Sequence, residues 1–328
     1  MKLMCSVVFF CYIYIADAAD LLVSLPYGMI QGKELVSPGN ITYRAFQGIP
    51  YAAAPVGTLR FQPPQQPYQW EGIKNTTKEG NICFSVHEDS DLENEDCLFM
   101  NVYTPILSNS SAVKLPVMLW FYGGGFYTGS SLSTHFGPDF FMEKNVIIAI
   151  FNYRVGPFGF LATEDGVISG NAGLKDQVMA IKWVNENIAS FGGDPDKVTI
   201  FGQSAGGASV GYQLLYKQNE GADFVAHSED IKYMWNHRNF VLSAYPEADR
   251  LTHERVLTLW TNFAKYLNPT PEKAAVLQNV TWPKVKPGNF HYLDIGNDLV
   301  VKKNPKSPYY AAWTRIYEQY NERPFTVF

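Results

Sequence analysis

The clearest pattern along the chain is a set of short, almost entirely apolar runs. They occupy residues 117–122, 146–151 and 198–201. A strand that is apolar on both faces has to be covered on both sides, which is typical of the central strands of a parallel sheet. The pattern therefore predicts three core strands.

The spacing of apolar residues between the second and third runs is that of a helix. The positions near helical spacing on one face are Leu174, Val178, Ile181 and Ile188. Asn171 precedes this helix and two glycines at 192–193 end it. A strand, a helix and a strand joined by a right-handed crossover form the α/β unit. The pattern predicts an α/β fold.

The pattern changes after residue 215. Residues 216–226 are polar and predict a loop, whereas residues 256–265 are apolar and aromatic at helical spacing. Residues 292–295 predict a short strand and residues 311–320 a last helix. This part has too few apolar strands to complete a large sheet alone.

The first residues predict a secretory signal peptide. Lys2 precedes an apolar run over residues 3–16, and Ala16 and Ala18 form a small-residue cleavage site. We expect residues 1–18 to be removed, leaving a domain over residues 19–328. The alternative is a buried N-terminal strand or helix. With no retention signal or lipid-anchor tail in the sequence, we expect a secreted, extracellular protein without a stable membrane anchor.

The amino-acid composition limits the classes of molecule that the protein is expected to bind. Hydrophobic residues make up 46% of the chain, aromatic residues 15%, and the net charge is -5. The aromatic content suggests clefts lined by rings. No basic stripe is present to meet phosphates, so nucleic acid is not the expected partner.

Cysteines and sequons agree with export. Cys5 and Cys11 leave with the signal peptide, so Cys83 and Cys97 are expected to pair. Their bond would close a loop of about 15 residues and stabilise the fold by roughly 3 kcal/mol. Four sequons predict a glycoprotein, with acceptors at Asn40, Asn75, Asn109 and Asn279.

The strongest chemical motif is Gly-Gln-Ser-Ala-Gly at residues 202–206. A G-x-S-x-G sequence between an apolar strand and a helix predicts a sharp turn that presents Ser204 as a nucleophile. A second motif, three glycines at 123–125, follows the first core strand. Such glycines let backbone N–H groups approach a substrate oxygen and form an oxyanion hole. The alternative for each motif is an ordinary glycine-rich turn.

Several further segments resemble the carboxylesterase type-B, or cholinesterase-like, family of α/β-hydrolases. They are Gly-Ile-Pro-Tyr at 48–51, Pro-Val-Gly-Thr-Leu-Arg-Phe at 55–61, Glu-Asp-Cys-Leu-Phe-Met-Asn-Val at 95–102, Asn-Tyr-Arg-Val-Gly at 152–156 and Gly-Asn-Ala-Gly-Leu-Lys-Asp-Gln at 170–177. The resemblance implies an α/β-hydrolase fold with a mostly parallel central sheet and helices on both faces. It implies hydrolysis of small-molecule carboxylic esters through an acyl-serine intermediate, with no cofactor and no metal.

The resemblance also implies roles for particular residues. Ser204 would be the nucleophile, and Gly124, Gly125 and Ala205 would donate the oxyanion N–H groups. Cys83 and Cys97 would match the first disulfide of the family. Two structural ion pairs would be Arg60–Glu95 and Arg154–Asp176.

His227 lies in a segment that resembles the catalytic histidine loop of the family. Its implied role is general base to Ser204 and then general acid to the leaving alcohol. The alternative is a solvated histidine in a polar loop. The other five histidines lie in no recognisable catalytic context.

The resemblance is interrupted between the nucleophile and this histidine. Family-like sequence stops near residue 215 and resumes near residue 221, which predicts an internal deletion and an incomplete sheet. No catalytic acid is identifiable, because the acidic residues nearby, Glu220, Asp223, Glu229 and Asp230, are all local to His227. The hypothesis is a splice variant, a fragment or a misassembled gene model.

Two consequences stay open at this point. Without the acid, the alternative function is a catalytically inactive, esterase-like binding or adhesion protein. Gln203 stands where the family usually has glutamate, and some insect hormone esterases share this Gly-Gln-Ser-Ala-Gly sequence. That feature points to an insect carboxylesterase.

Overall fold

The structure is a computed structural model that describes residues 21–85, 91–106, 113–215, 234–236, 244, 246–286, 290–296 and 298–303. The chain divides into two compact units, Met1–Ser228 and Glu229–Phe328. Several predictions lie outside the described residues: the signal peptide, the loop at 216–226, the helix at 311–320, Asn109 and His227.

The first unit contains nine strands and four helices among the residues that the structure describes. The strands are β1 (Leu22–Leu25), β2 (Gly28–Gln31), β3 (Lys33–Val36), β4 (Thr42–Pro50), β5 (Ile73–Asn75), β6 (Phe99–Thr104), β7 (Leu115–Phe121), β8 (Ile147–Phe151) and β9 (Gly193–Gly202). The helices are α1 (Asp139–Met142), α2 (Gly156–Phe160), α3 (Ala172–Asn187) and α4 (Ala205–Leu215). Short 3-10 turns occupy Gly57–Leu59 and Ile188–Phe191.

The main sheet has six strands in the order β3-β4-β6-β8-β7-β9. The pairs β7–β8 and β7–β9 are parallel, whereas β3–β4, β4–β6 and β6–β8 are antiparallel. A smaller sheet has the order β1-β2-β5. The expected mostly parallel sheet is therefore wrong for the described strands, whose main sheet is mixed. Only the later strands are joined by long connections with helices, which parallel pairing requires.

The three core strands and the helix predicted from the sequence are confirmed as β7, β8, β9 and α3. Every residue of β8 is buried, and β7 is buried from Pro116 onward. Helix α3 continues into the 3-10 turn and stops at Gly192, which has a left-handed φ of 85°. That conformation is one that glycine adopts readily, which explains the stop.

The second unit is built on helix α5 (Glu247–Tyr266), a 3-10 turn (Ala275–Leu277) and the hairpin of β10 (His291–Ile295) and β11 (Leu299–Lys303). Its buried cluster consists of Leu259, Leu277, Leu293 and Leu299. The predicted helix at 256–265 and the strand at 292–295 are confirmed, and the helix starts earlier than expected. Within the described residues, no helix combines the length and apolarity needed to cross a bilayer.

Candidate active site

Ser204 lies at the point where β9 ends and α4 begins. Its backbone φ is 54°, a left-handed conformation that is uncommon for serine. The turn is closed by a hydrogen bond from the Gly206 amide to the Gln203 carbonyl (2.8 Å), and the Ala208 amide donates to the Ser204 carbonyl (2.9 Å). The side chain is half-buried. This strand, strained turn and helix match the geometry that the G-x-S-x-G sequence predicts.

The glycines on either side of Ser204 are required by contacts between backbones. A Cβ on Gly206 would overlap the Phe121 carbonyl and lie 2.6 Å from the Tyr122 carbonyl oxygen. A Cβ on Gly202 would lie 2.6 Å from the Gly206 carbonyl carbon and 2.8 Å from the Phe121 carbonyl oxygen. The turn is thus pressed against the end of β7, and no larger residue fits at either position.

The glycine loop that follows β7 meets the nucleophile directly. A Cβ on Gly123 would lie 2.6 Å from the Gln203 carbonyl oxygen and 2.9 Å from Ser204 Cβ. Gly124 and Gly125 have φ values of 114° and 62°, which favour glycine. The loop then closes on itself, because the Gly124 carbonyl accepts bonds from the Tyr127 and Thr128 amides, both at 3.1 Å.

The backbone amides of Gly124, Gly125 and Ala205, which the sequence predicts as oxyanion donors, donate no hydrogen bond to any described residue. Ala205 is also the first residue of α4, where helix N–H groups lack internal partners and the helix dipole is positive. Backbone donors of this kind stabilise the negative charge that develops on the carbonyl oxygen of a substrate when a nucleophile attacks its carbon.

A pair of tyrosines fixes the residues at the base of the glycine loop. The Tyr122 and Tyr153 rings are stacked with centroids 4.3 Å apart. Tyr153 Oη donates to the Tyr122 carbonyl (2.8 Å), and Tyr122 Oη donates to the Tyr153 carbonyl (2.8 Å). Burial raises the pKa of Tyr153 well above its usual value, so its hydroxyl keeps its proton and stays a donor.

A second buried polar cluster joins the helix after the nucleophile to its neighbour. Gln177 Nε2 on α3 donates to Ser209 Oγ on α4 at 2.9 Å. Gln213 Nε2 donates to Gln177 Oε1 at 3.1 Å. All three side chains are buried, so these bonds fix how α4 lies against α3.

The predicted disulfide and both predicted ion pairs are present. Cys83 and Cys97 are bonded, with their Cα atoms 4.9 Å apart. Arg60 Nη2 lies 2.6 Å from Glu95 Oε1, and this guanidinium lowers the pKa of Glu95. Arg154 and Asp176 form the second pair. Ser204 takes part in none of these three bonds, which agrees with a scaffold role.

Only part of the predicted site falls within the described residues. The structure brings Ser204 and Ala205 together with the start of the glycine loop, whereas His227 lies outside the described residues. The described part of the chain contains no cluster of metal-ligating side chains. Asn40, Asn75 and Asn279 are exposed, as a glycan acceptor must be.

Sequence reasoning missed two features of this site, the tyrosine pair and the Gln177–Ser209 bond. The signal for the tyrosines is faint: each follows a core strand, one at residue 122 and the other two residues after β8. Nothing in the local sequence pairs residues that lie so far apart along the chain.

Comparison with known proteins agrees with the motifs. The profile described as "Carboxylesterase family" matches residues 19–224 and again residues 217–313. The chain is 45% identical over 205 residues to "Venom carboxylesterase-6" of Apis mellifera, covering 61% of this chain and 36% of that relative. It is 44% identical over 216 residues to "Juvenile hormone esterase" of Tribolium castaneum, covering 65% and 36%.

The similarity extends beyond insects. "Bile salt-activated lipase" of Mus musculus is 42% identical over 205 residues, which covers 59% of this chain and 34% of that protein. The matched part of the chain thus spans about a third of the length of these curated relatives (36%, 36% and 34%). The two profile matches overlap at residues 217–224.

Proposed function

This chain belongs to the carboxylesterase family, and we propose that it carries the nucleophile half of a carboxylic ester hydrolase with an α/β-hydrolase fold. The observation that carries the proposal is the strained turn at Ser204 against the glycine loop. Ser204 holds a φ of 54° where Gly123, Gly202 and Gly206 leave no space for side chains. Strained backbone of this kind persists where the surrounding packing enforces it, and it is concentrated at active sites.

The proposed reaction has two halves. Ser204 Oγ attacks the ester carbonyl carbon, and His227 takes the hydroxyl proton. The carbonyl oxygen gains negative charge, which the Gly124, Gly125 and Ala205 amides stabilise by hydrogen bonds. His227 then returns the proton to the leaving alcohol. Water, activated by the same histidine, hydrolyses the acyl-serine and releases the acid.

We further propose that an internal stretch of the parent protein is missing near residues 215–221. Two observations support this. The family profile matches in two parts that overlap at residues 217–224, at the expected junction. The relatives are also much longer than the matched part of this chain. In a serine protease with a comparable catalytic triad, replacing the catalytic acid by its amide lowers turnover by about 10⁴. We expect the missing stretch to hold the acid and the rest of the ester pocket.

The same family membership supports export of the chain as a glycoprotein that acts on small-molecule esters. The second candidate function of this chain is to bind small molecules without hydrolysing them. The observation that favours it is that no catalytic acid can be identified in the sequence. Covalent labelling distinguishes the two functions, because only a working nucleophile forms a covalent bond with an electrophilic substrate analogue.

The test is labelling of the secreted full chain with a fluorophosphonate probe. We expect labelling at Ser204, loss of labelling in Ser204→Ala, and strong loss in His227→Ala. Ser24→Ala is the matched control, because Ser24 is exposed on β1 and its loss should leave labelling unchanged. A folded chain that resists the probe would overturn the hydrolase proposal and leave the binding protein. Labelling that survives Ser204→Ala would overturn the assignment of the nucleophile.

A further inference from the structure

The Tyr122 carbonyl lies between three parts of the candidate site. It directly precedes Gly123, the first residue of the glycine loop. A Cβ on Gly206 of the nucleophile turn would lie 2.6 Å from this oxygen. Its hydrogen bond from Tyr153 Oη is 2.8 Å long. This one oxygen is therefore next to both the loop and the nucleophile turn, and a buried hydroxyl holds it.

Gly129, at the far end of the glycine loop, is also packed against this tyrosine pair. A Cβ on Gly129 would lie 2.6 Å from the Gly123 carbonyl oxygen and 2.6 Å from Tyr122 Cδ2. Both ends of the loop therefore rest on Tyr122, whose ring is stacked on Tyr153. Tyr153 and Tyr122 are 0% and 1% exposed, so water cannot replace a lost hydrogen bond at low cost.

We propose that Tyr153 is a positioning residue for the oxyanion hole. Its hydroxyl fixes the Tyr122 carbonyl, and this fixes the direction in which the Gly124 and Gly125 amides point. The inference rests on the proposed function, since the amides matter only if an oxyanion forms at Ser204. Catalytic groups that are displaced by about 1 Å from their productive position can lose about a hundredfold in rate, so the direction of these donors matters.

The two hydroxyls of the pair differ in what they hold, and this provides a matched control. Tyr122 Oη donates to the Tyr153 carbonyl and accepts from the Tyr153 amide (3.1 Å), so these bonds act on the segment after β8. Tyr153 Oη acts on the glycine loop. Tyr153→Phe and Tyr122→Phe each remove one buried hydroxyl and keep both rings. Only Tyr153→Phe removes the donor to the loop.

The experiment compares the two variants in the full secreted chain. We expect fluorophosphonate labelling of Tyr153→Phe to be at least about tenfold slower than that of Tyr122→Phe. Thermal unfolding of both variants separates this effect from general loss of stability. Amide hydrogen exchange supplies a readout that needs no activity: the Tyr127 and Thr128 amides, which close the loop, should exchange faster in Tyr153→Phe than in Tyr122→Phe.

The outcomes separate this inference from the proposed function. Slower labelling and faster loop exchange in Tyr153→Phe alone would support the positioning role. Equal exchange in the two variants would overturn it, whatever the labelling rates. If the wild-type chain resists the probe, the proposed function fails, while the exchange comparison still decides whether Tyr153 fixes the loop.

Discussion

Arg154 and Asp176 form a two-pronged ion pair inside the first unit. Nε lies 2.8 Å from Oδ2 and Nη2 lies 2.7 Å from Oδ1. The Arg154 amide also donates to Oδ2 at 3.0 Å, and Nη2 donates to the Gln62 carbonyl at 2.9 Å. The side chains are 3% and 0% exposed. The pair thus ties the segment after β8 to α3 and to the segment that holds Gln62.

Removing one partner of this pair should destabilise the fold strongly. We expect Asp176→Ala to lower the free energy of unfolding by about 3–5 kcal/mol, because Arg154 is left charged and buried without its counterion. Urea unfolding of the full chain measures this loss. The double variant Arg154→Met/Asp176→Leu should lose much less, since no unpaired charge remains. Equal losses in the single and double variants would contradict this explanation.

Gly206→Ala should destabilise the protein although Gly206 lies in a helix. Alanine normally stabilises a helix by about 1 kcal/mol relative to glycine. Here its Cβ would overlap the Phe121 carbonyl, so we expect a loss of about 3 kcal/mol or more and no labelling of Ser204.

Gly72→Ala is the comparison for this substitution. Gly72 has a φ of 71°, and a Cβ at this position would have no neighbouring atom within 4 Å. Only backbone strain of about 1–2 kcal/mol should therefore result. Denaturant unfolding midpoints of both variants measure the two losses of stability. A neutral or stabilising Gly206→Ala would show that the turn is not pressed against β7.

The disulfide should stabilise the folded protein by restricting the conformations of the unfolded chain. Replacing Cys83 and Cys97 together by serine should lower the free energy of unfolding by about 3 kcal/mol, since the closed loop is short. Unfolding of the wild type with and without reductant is the parallel measurement, and the double variant should not respond to reductant. A reductant effect that persists in the variant would assign the stabilisation to another pair.

Glu79 should make stability depend on pH in a particular direction. Burial raises its pKa, although bonds from Ser133 and the charges of Lys33 and His135 oppose the shift. A carboxyl whose pKa is higher in the folded state stabilises fully below the unfolded pKa, and this contribution is lost as pH rises through the folded pKa. Glu79→Gln should therefore gain stability relative to the wild type as pH rises from about 4 to 7.

Urea unfolding of the wild type and Glu79→Gln across that pH range tests whether the variant gains relative stability as pH rises. The Ser133 amide donates to Glu79 Oε1 at 2.7 Å, and the glutamine oxygen can accept the same bond. Asn101 Nδ2 also donates to Glu79 Oε1 at 3.3 Å, so the pH dependence of the stability difference, rather than its size, reports the charge. A stability difference that shrinks or stays constant with rising pH would mean that burial does not dominate at this carboxyl.

The parts of the structure predicted from the sequence are those with a strong local signal. Strands β7 and β8 are continuous apolar runs, and Ser204 lies in a five-residue motif between a strand and a helix. The direction of strand pairing carries no such signal, so the antiparallel pairs of β4 and β6 were not expected. The bonds between Tyr122 and Tyr153 and between Gln177 and Ser209 were missed because they join residues that only tertiary packing brings together.

The left-handed backbone of Ser204 links chemical reactivity to the state of the whole sheet. Part of the packing that holds this conformation comes from outside the pentapeptide 202–206, because Phe121, Tyr122 and Gly123 lie at and just after the end of β7, far away in the sequence. A chain in which β7 has not docked beside β9 would carry an ordinary, unreactive serine. The fraction of molecules that react with the probe would then count correctly assembled sheets, which makes Ser204 a built-in reporter of folding.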